Sequence, residues 1–152
     1  NLQTKQHEIF KALIEATAFG SLMIIDQIEK HGVSIKEIIA IGGLSQSHVI
    51  MQIYADITGR KIKVLKSDQV CAVGSAILAA CNNKEGYLNL KTTQKKMSIK
   101  VKKIYRPNMQ NNKIYKRIYK LYSNLHDVFG RVNNKKSLHH IMKELILIRN
   151  LY

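Results

Sequence analysis

The chain has 152 residues, of which 45% are apolar, and its formal net charge is +15. This length suits one folded domain, and the apolar content excludes a disordered protein. The sequence contains neither an apolar run near the ~20 residues of a membrane helix nor a signal peptide, so we expect a cytoplasmic protein.

The positive charge is concentrated in the second half. Residues 1–82 carry eight Lys or Arg and seven Asp or Glu, whereas residues 83–152 carry seventeen and three. A basic half of this kind is compatible with a nucleic acid or an anionic surface as partner. Its lysines alternate with Tyr, Ile and Leu at helical spacing, however, without an RGG run, RNP motif or zinc knuckle. The pattern therefore favours the solvated faces of packed helices, and we expect no nucleic-acid or membrane partner.

Periodicity predicts an alternation of helices and strands in residues 1–82. The order helix, strand, helix, strand, helix with short connections indicates a parallel strand pair in an α/β layer. The apolar run at 37–41 is typical of a strand buried on both faces. The predicted elements are a helix over 7–31, a strand over 37–41, a helix over 47–58, a strand over 61–65 and a helix over 70–82.

Each of the first two helices is expected to bury one stripe. The third helix has a small-residue face, and Gly74 is expected to permit a close approach to the sheet. The residues of that face are Ala72, Ala76, Ala79 and Ala80. The expected buried residues are Phe10, Ile14, Thr17, Ser21, Ile24 and Ile28 on the first helix, and Ile50, Ile53, Tyr54 and Ile57 on the second.

The second half is predicted to be mostly helical. A short helix over 88–97 and an extended passage, IKVKKIYRPN, precede a helix that Asn108 caps and Gly130 ends. A final helix is expected over 134–150. The apolar residues expected in the core are Tyr115, Ile118, Tyr122, Leu125 and Phe129, followed by Leu138, Ile141, Leu145 and Ile148.

The candidate functional site is the sequence IGGLSQS at 41–47. Glycines let the backbone approach a ligand, and the next helix offers free N–H groups and a partial positive charge. A phosphate or ribose could lie against Gly42, Gly43 and Leu44, with a hydroxyl of Ser45 or Ser47 adding a hydrogen bond. The same pattern also fits a tight connection in which Ser47 caps the helix without any ligand.

The sequence shows no catalytic or metal-binding pattern. No Walker lysine or GxGxxG accompanies the glycine pair, and Gln52 and Asp56, one helical turn apart, are expected to pair at the surface. His139 and His140 are adjacent, so they cannot face one metal from a single helix, and the other four histidines are isolated. The two cysteines lack CxxC or zinc spacing, and we expect reduced thiols.

Residues 42–80, GGLSQSHVIMQIYADITGRKIKVLKSDQVCAVGSAILAA, resemble the signature of the FGGY carbohydrate kinases. That signature reads approximately GGxxxSxxxMQxxADxxGxx(V/I), and a later part of it reads approximately AxGAAxLAA. The segments at 8–20, 103–130 and 141–150 resemble the L-ribulokinase branch of the family. The resemblance covers nearly the whole chain and is loosest over 83–102.

The resemblance implies an α/β fold: an incomplete ribonuclease-H-like C-terminal domain of the actin/hexokinase/Hsp70 type, helix-rich with a small parallel strand pair and C-terminal helices. Residues 1–130 would be part of the nucleotide-side domain, and 131–152 its helical extension. The family phosphorylates a ketopentose such as L-ribulose, in arabinose catabolism, using ATP, Mg²⁺ and an aspartate base. Gly42, Gly43 and Ser47, with Leu44 beside them, would contact the adenosine side of ATP.

The resemblance also implies parts that this sequence does not contain. Because the first residue is Asn1, without an initiator Met, we expect a fragment. The aspartate base and the sugar contacts belong to an N-terminal domain, so this chain alone is expected to be inactive, with Mg²⁺ held mainly by nucleotide and that domain. The 37–41 strand and the 7–31 helix would lack cover, which predicts a homo-oligomer or association with the rest of the kinase. A catalytically inactive binding or assembly module is the alternative.

Overall fold

The computed structural model describes residues 4–67, 69–82, 89–130 and 137–151. It confirms the predicted helices and strands to within a few residues, except that the last helix begins at Ile141 and the described residues 137–140 before it are not helical. Positions 88 and 134–136 of the predicted helices lie outside the described residues. The division at residue 130 stays a prediction. The elements are α1 (Gln6–Lys30), β1 (Glu37–Ala40), a 3₁₀ turn (Gly43–Gln46), α2 (His48–Thr58), β2 (Lys61–Leu65), α3 (Val70–Asn82), α4 (Leu90–Met97), β3 (Val101–Tyr105), α5 (Met109–Gly130) and α6 (Ile141–Leu151).

Local sequence explains where the central helices begin and end. The Ser47 hydroxyl accepts a hydrogen bond from the Ile50 N–H at 3.5 Å and caps α2. The Asn108 side chain accepts from the Gln110 N–H at 2.9 Å and caps α5 in the same way. Gly59 ends α2 at φ +66°, in the left-handed conformation that glycine adopts at least cost.

The three strands form a mixed sheet in the order β1-β2-β3. β1 and β2 are parallel, as predicted, with Ile38 opposite Ile62. β3 is antiparallel to β2, with Tyr105 opposite Ile62. The passage predicted only as extended is therefore the third strand of the sheet. Ile62, Val64 and Tyr105 face α2 and form one core cluster with Ile50 and three other buried or half-buried side chains of that helix. β1 is an edge strand among the described residues.

The main core lies where α1, α2 and α5 meet. The Phe19 ring of α1 lies 5.4–6.1 Å from three tyrosine rings of α5. α6 packs against α5 through Leu121, Ile141 and Ile148. The buried residues of the main cluster are Ala18, Phe19, Leu22, Ile53 and Ile57.

The buried stripe of α1 differs from the predicted one. Phe10, Ile24 and Ile28 are 63%, 64% and 38% exposed, Thr17 is also exposed, and Ile14 and Ser21 are half-buried. The helix carries a second apolar stripe, and this stripe packs against α2 and α5, where Phe19 meets three tyrosine rings. The residues that α1 buries are Ala18, Phe19, Leu22 and Ile25.

Four other burial predictions are wrong. Leu145, which was expected in the core, is 36% exposed. Ile39 and Ile41 are 56% and 48% exposed, so the first strand is not buried on both faces. Phe129 is 82% exposed because it lies in the last turn of α5, beyond the contact with α1. A Cβ placed on Gly74 would meet nothing within 4 Å. α3 packs against α4 instead of the sheet, so the described structure does not contain the close approach expected there.

Candidate functional site

The glycine pair turns the chain from β1 into α2. Gly42 adopts φ +85° and ψ −176°, a combination that is almost confined to glycine. Gly43 begins the 3₁₀ turn without a positive φ. A Cβ placed on either glycine would meet nothing within 4 Å. The backbone on this side of the turn is therefore open to a ligand.

The two serines of the turn have different roles. Ser45 is buried, and both its hydroxyl and its N–H donate to the Gly42 carbonyl oxygen, at 2.7 and 3.1 Å. Ser45 therefore braces the turn. Within the described residues, the Ser47 hydroxyl takes part only in the long 3.5 Å cap bond, so it has hydrogen-bonding capacity left for a ligand. It also lies at the N-terminus of α2, where the free N–H groups favour an anion or a polar ligand atom.

A cavity of about 680 Å³ opens beside Ser47, between α1, α2 and α5. Its lining combines apolar side chains, such as Phe10 and Ile53, with a few polar ones, including His7 and His48. Such a mixture is typical of pockets for small organic ligands. The two histidines were isolated in the sequence, and only the packing of α1 on α2 brings them to one cavity.

The predicted site residues border two different spaces. Ser47 lines the 680 Å³ cavity, whereas Leu44, 63% exposed, lines a second apolar cavity of about 400 Å³ with Ile24 and Ile41. Gly42 and Gly43 line neither of these two cavities and face open space. The turn that contains these four predicted site residues therefore lies between the two cavities.

Asp56 is buried, although its sequence position predicted a surface location. Its predicted pairing with Gln52 is present, since Gln52 Nε2 donates to Asp56 Oδ1 at 2.7 Å. The residue is only 3% exposed, however, so a surface location is wrong. The carboxylate also accepts from the Asn108 N–H and from Asn111 Nδ2, each at 2.8 Å. These partners lie more than 50 positions away, and no local spacing could reveal them.

Two tyrosines of α5 attach the cavity wall to α1. Tyr115 donates to Glu15 Oε1 at 2.7 Å and Tyr119 donates to Asp26 Oδ2 at 2.6 Å. Burial raises the pKa of both phenols well above their ordinary value of about 10, and the carboxylate partners raise the pKa further. Both tyrosines therefore stay neutral donors, which fixes α5 against α1 beside the cavity.

Two further properties concern the described part of the chain as a whole. Over residues 4–67, 69–82, 89–130 and 137–151, no group of three or more His, Cys, Asp or Glu side chains could hold a metal ion. None of the helices in those ranges has the length and apolar character that crossing a membrane requires.

Comparison with known proteins identifies the family. The model of the FGGY family of carbohydrate kinases, C-terminal domain, matches residues 1–82. A ribulokinase of Halalkalibacterium halodurans is 40% identical over 154 residues, which cover 99% of this chain and 26% of the relative. A ribulokinase of Geobacillus thermodenitrificans is 43% identical over 137 residues, covering 88% and 24%. The chain thus spans about a quarter of the length of the curated relatives that it matches.

Solved structures show the same fold. A ligand-bound xylulose kinase from Lactobacillus acidophilus superposes with a TM-score of 0.72 at 21% identity, over 90% of this chain and 27% of the kinase. The glycerol kinase of Plasmodium falciparum with ADP gives a TM-score of 0.67 at 21% identity, over 87% and 26%. These similarities confirm the predicted α/β fold of ribonuclease-H type. Because the family model covers more than half of the sequence, this chain belongs to the FGGY family of carbohydrate kinases, in the region of the family's C-terminal domain.

Proposed function

We propose that this chain is the C-terminal part of an ATP-dependent kinase that converts L-ribulose and ATP to L-ribulose 5-phosphate and ADP. The relatives named ribulokinase support this reaction, because they align along nearly the whole chain at about 40% identity. The observation that carries the nucleotide role is the Gly42-Gly43 turn, which exposes backbone at the N-terminus of α2. The role of the chain is to bind and orient ATP, and it contributes no catalytic base.

In the proposed site, Gly42, Gly43 and Leu44 lie against the ribose and the nearest phosphate. Open space at both glycines fits this contact, since a side chain there would occupy the position of the ligand. Ser47 hydrogen-bonds the adenosine, and the adenine ring enters the adjoining 680 Å³ cavity between α1 and α5. The apolar lining favours a flat ring, and the histidine rings of the rim offer further contacts.

Magnesium is the second cofactor of the proposed reaction. When bound, Mg²⁺ neutralises charge that develops on the phosphates. It usually keeps several waters and binds through substrate phosphates with one or two carboxylates. The turn at Gly42 to Ser47 presents N–H and hydroxyl groups without a carboxylate, so it fits the adenosine end of ATP rather than the metal. The Mg²⁺ ion would be held mainly by the nucleotide and by the remainder of the kinase.

The proposed partner is the remainder of the same kinase. Ile24, Ile28, Ile39, Ile41 and Leu44 are all at least 38% exposed and lie along α1, β1 and the glycine turn. The 400 Å³ apolar cavity opens on this surface, and β1 lies at the edge of the described sheet. Since the chain spans 26% of a ribulokinase relative, we assign this surface to the other three quarters of such an enzyme. The cytoplasm is the proposed location, as expected for sugar phosphorylation by ATP.

A reconstitution assay tests this function. The chain is mixed with a polypeptide that comprises the rest of the Halalkalibacterium halodurans ribulokinase, and L-ribulose-dependent ADP release is measured. We expect activity in the mixture and none from either part alone. Formation of a stable complex without activity would contradict the function, whereas self-association of the chain without complex formation would contradict the assigned partner.

Variants at Gly43 provide the matched control of this assay. A Gly43→Asp chain should still form the complex, because a side chain there meets no neighbour, but its carboxylate should repel the phosphates and abolish most of the activity. The isosteric and neutral Gly43→Asn chain should retain more activity. Equal activities of the two variants would show that no anion binds beside this residue.

A further inference from the structure

Asp56 is a buried carboxylate that the proposed function does not use. It lies in the last turn of α2 and is 3% exposed. Among the described residues its carboxylate oxygens meet neutral donors and form no ion pair with Lys, Arg or His. Burying a charge in this way is costly unless hydrogen bonds and local dipoles compensate. The N-terminus of α5, capped by Asn108, supplies both.

The hydrogen bonds of Asp56 connect α2 to the segment that begins α5. The Asn108 N–H donates to Asp56 Oδ1 and Asn111 Nδ2 donates to Asp56 Oδ2, each at 2.8 Å. Asn112 Nδ2 donates to the Asp56 carbonyl oxygen at 2.7 Å. Gln52 Nε2, besides its bond to Asp56, donates to the Arg106 carbonyl oxygen at 2.8 Å. Four hydrogen bonds thus attach residues 106–112 to the last two turns of α2.

This attachment determines where one wall of the 680 Å³ cavity lies. Gln52, Asp56 and Asn111 all line the cavity that begins at Ser47, and Tyr115 follows one turn later on α5. The middle of α5 is fixed independently, by Tyr115 to Glu15 and by the rings around Phe19. Loss of the Asp56 bonds should therefore release the first turn of α5 while the rest of the helix stays in place.

We propose that Asp56 is a positioning residue that holds the α5 wall of the nucleotide cavity and thereby determines how well the cavity distinguishes adenine from guanine. This inference rests on the proposed function, because it requires the base to enter the cavity. Asp56 acts through the position of Asn111 and the first turn of α5 rather than through contact with the nucleotide. Adenine and guanine differ in the groups on their hydrogen-bonding edges. The cavity can reject guanine only where its wall contacts that edge closely, so selectivity depends on the position of the wall.

The test compares the dissociation constants of ATP and GTP for the full chain and for Asp56 variants. Asp56→Leu keeps the branched shape of the side chain but leaves three donors without an acceptor, and we expect about a tenfold weaker ATP affinity with a loss of most ATP-over-GTP preference. Asp56→Asn should stay within about threefold of the wild type, because the Asn111 amide can rotate to accept from the new NH₂ group. Leu121→Ala is the control, since it weakens the core between α5 and α6 away from the cavity.

The outcomes separate the two proposals. If the wild-type chain binds neither nucleotide, the nucleotide role assigned to this turn fails and this inference fails with it, whereas the reconstitution assay decides the ribulokinase activity separately. If the wild type prefers ATP and Asp56→Leu lowers only the melting temperature, as Leu121→Ala should, the positioning role is wrong and the proposed function stands. If Asp56→Leu does not fold, Asp56→Ser decides in its place, because water can satisfy the donors there while the Asn111 bond is lost. An unchanged ATP-to-GTP ratio in that variant overturns the inference.

Discussion

At the scale of single residues, the turn at Gly42 combines a structural constraint with the proposed contact to ATP. Gly42 adopts a backbone conformation that other residues rarely adopt, whereas Gly43 does not. Neither glycine is required by crowding, since a Cβ would meet no neighbour at either position. The constraint on Gly42 is therefore conformational, and any constraint on Gly43 comes from the ligand.

Alanine substitutions separate these two constraints. Gly42→Ala should lower the free energy of unfolding by about 1–3 kcal/mol, because alanine must adopt a strained φ/ψ combination. Gly43→Ala should change it by less than about 0.5 kcal/mol, as an exposed substitution without contacts. Urea denaturation of both variants measures the difference. Equal destabilisation by the two substitutions would show that the strain does not lie at Gly42.

Some residues of the site could be predicted from the sequence and others could not. Gly42, Gly43 and Ser47 were predicted correctly as a strand-to-helix turn, because the signal lies within seven consecutive residues. Their contact with nucleotide stays a prediction. The buried Asp56 carboxylate accepts hydrogen bonds from Asn108 and Asn111, and the sequence of residues 47–58 does not indicate that these two residues lie beside it.

At the scale of the elements, helix bounds were predictable and helix faces were not. α2 begins at a serine cap and ends at a glycine, and both signals are local. The face that α1 buries depends on its contacts with α2 and α5. The sequence of α1 alone does not show which face these helices will cover. The same reason explains why β3 was predicted only as an extended passage. Its strand identity comes from pairing with β2, about 40 residues earlier.

The contact between α1 and α5 predicts a dependence of stability on alkaline pH. The pKa of Tyr115 and that of Tyr119 are raised in the folded chain by burial and by their carboxylate partners. Their stabilisation is therefore complete below the unfolded pKa of about 10 and is lost as the pH rises through the higher folded pKa.

Phenylalanine variants test this dependence. In urea denaturation between about pH 8 and about pH 11, the wild type should lose stability more steeply above pH ~10 than the Tyr115→Phe/Tyr119→Phe variant. Tyr54→Phe is the control, because the Tyr54 hydroxyl donates to the Thr17 hydroxyl instead of a carboxylate. Identical slopes for the wild type and the double variant would contradict the assignment of buried, neutral phenols.

At the scale of the whole molecule, the chain combines a covered core with an uncovered apolar surface. Periodicity predicted buried faces for the 37–41 strand and the first helix, whereas the family resemblance implied that both would lack cover. Ile24, Ile28 and Ile39 are exposed. The family could also be predicted, since the segment from Gly42 to Ala80 carries many fixed positions of one signature. Self-association and the division at residue 130 stay predictions, because they depend on chains or residues that the described structure does not contain.

A titration of the isotopically labelled chain with ADP, followed by two-dimensional NMR at ~200 mM salt, tests directly whether the Gly42 turn binds adenosine. We expect the largest amide shift changes at Gly42, Gly43, Leu44 and Ser47, and then along the cavity walls. The salt weakens nonspecific attraction to the lysine-rich second half. Shift changes confined to the lysines of α4, or no changes at millimolar ADP, would contradict the assignment of this turn to the adenosine side of an ATP site.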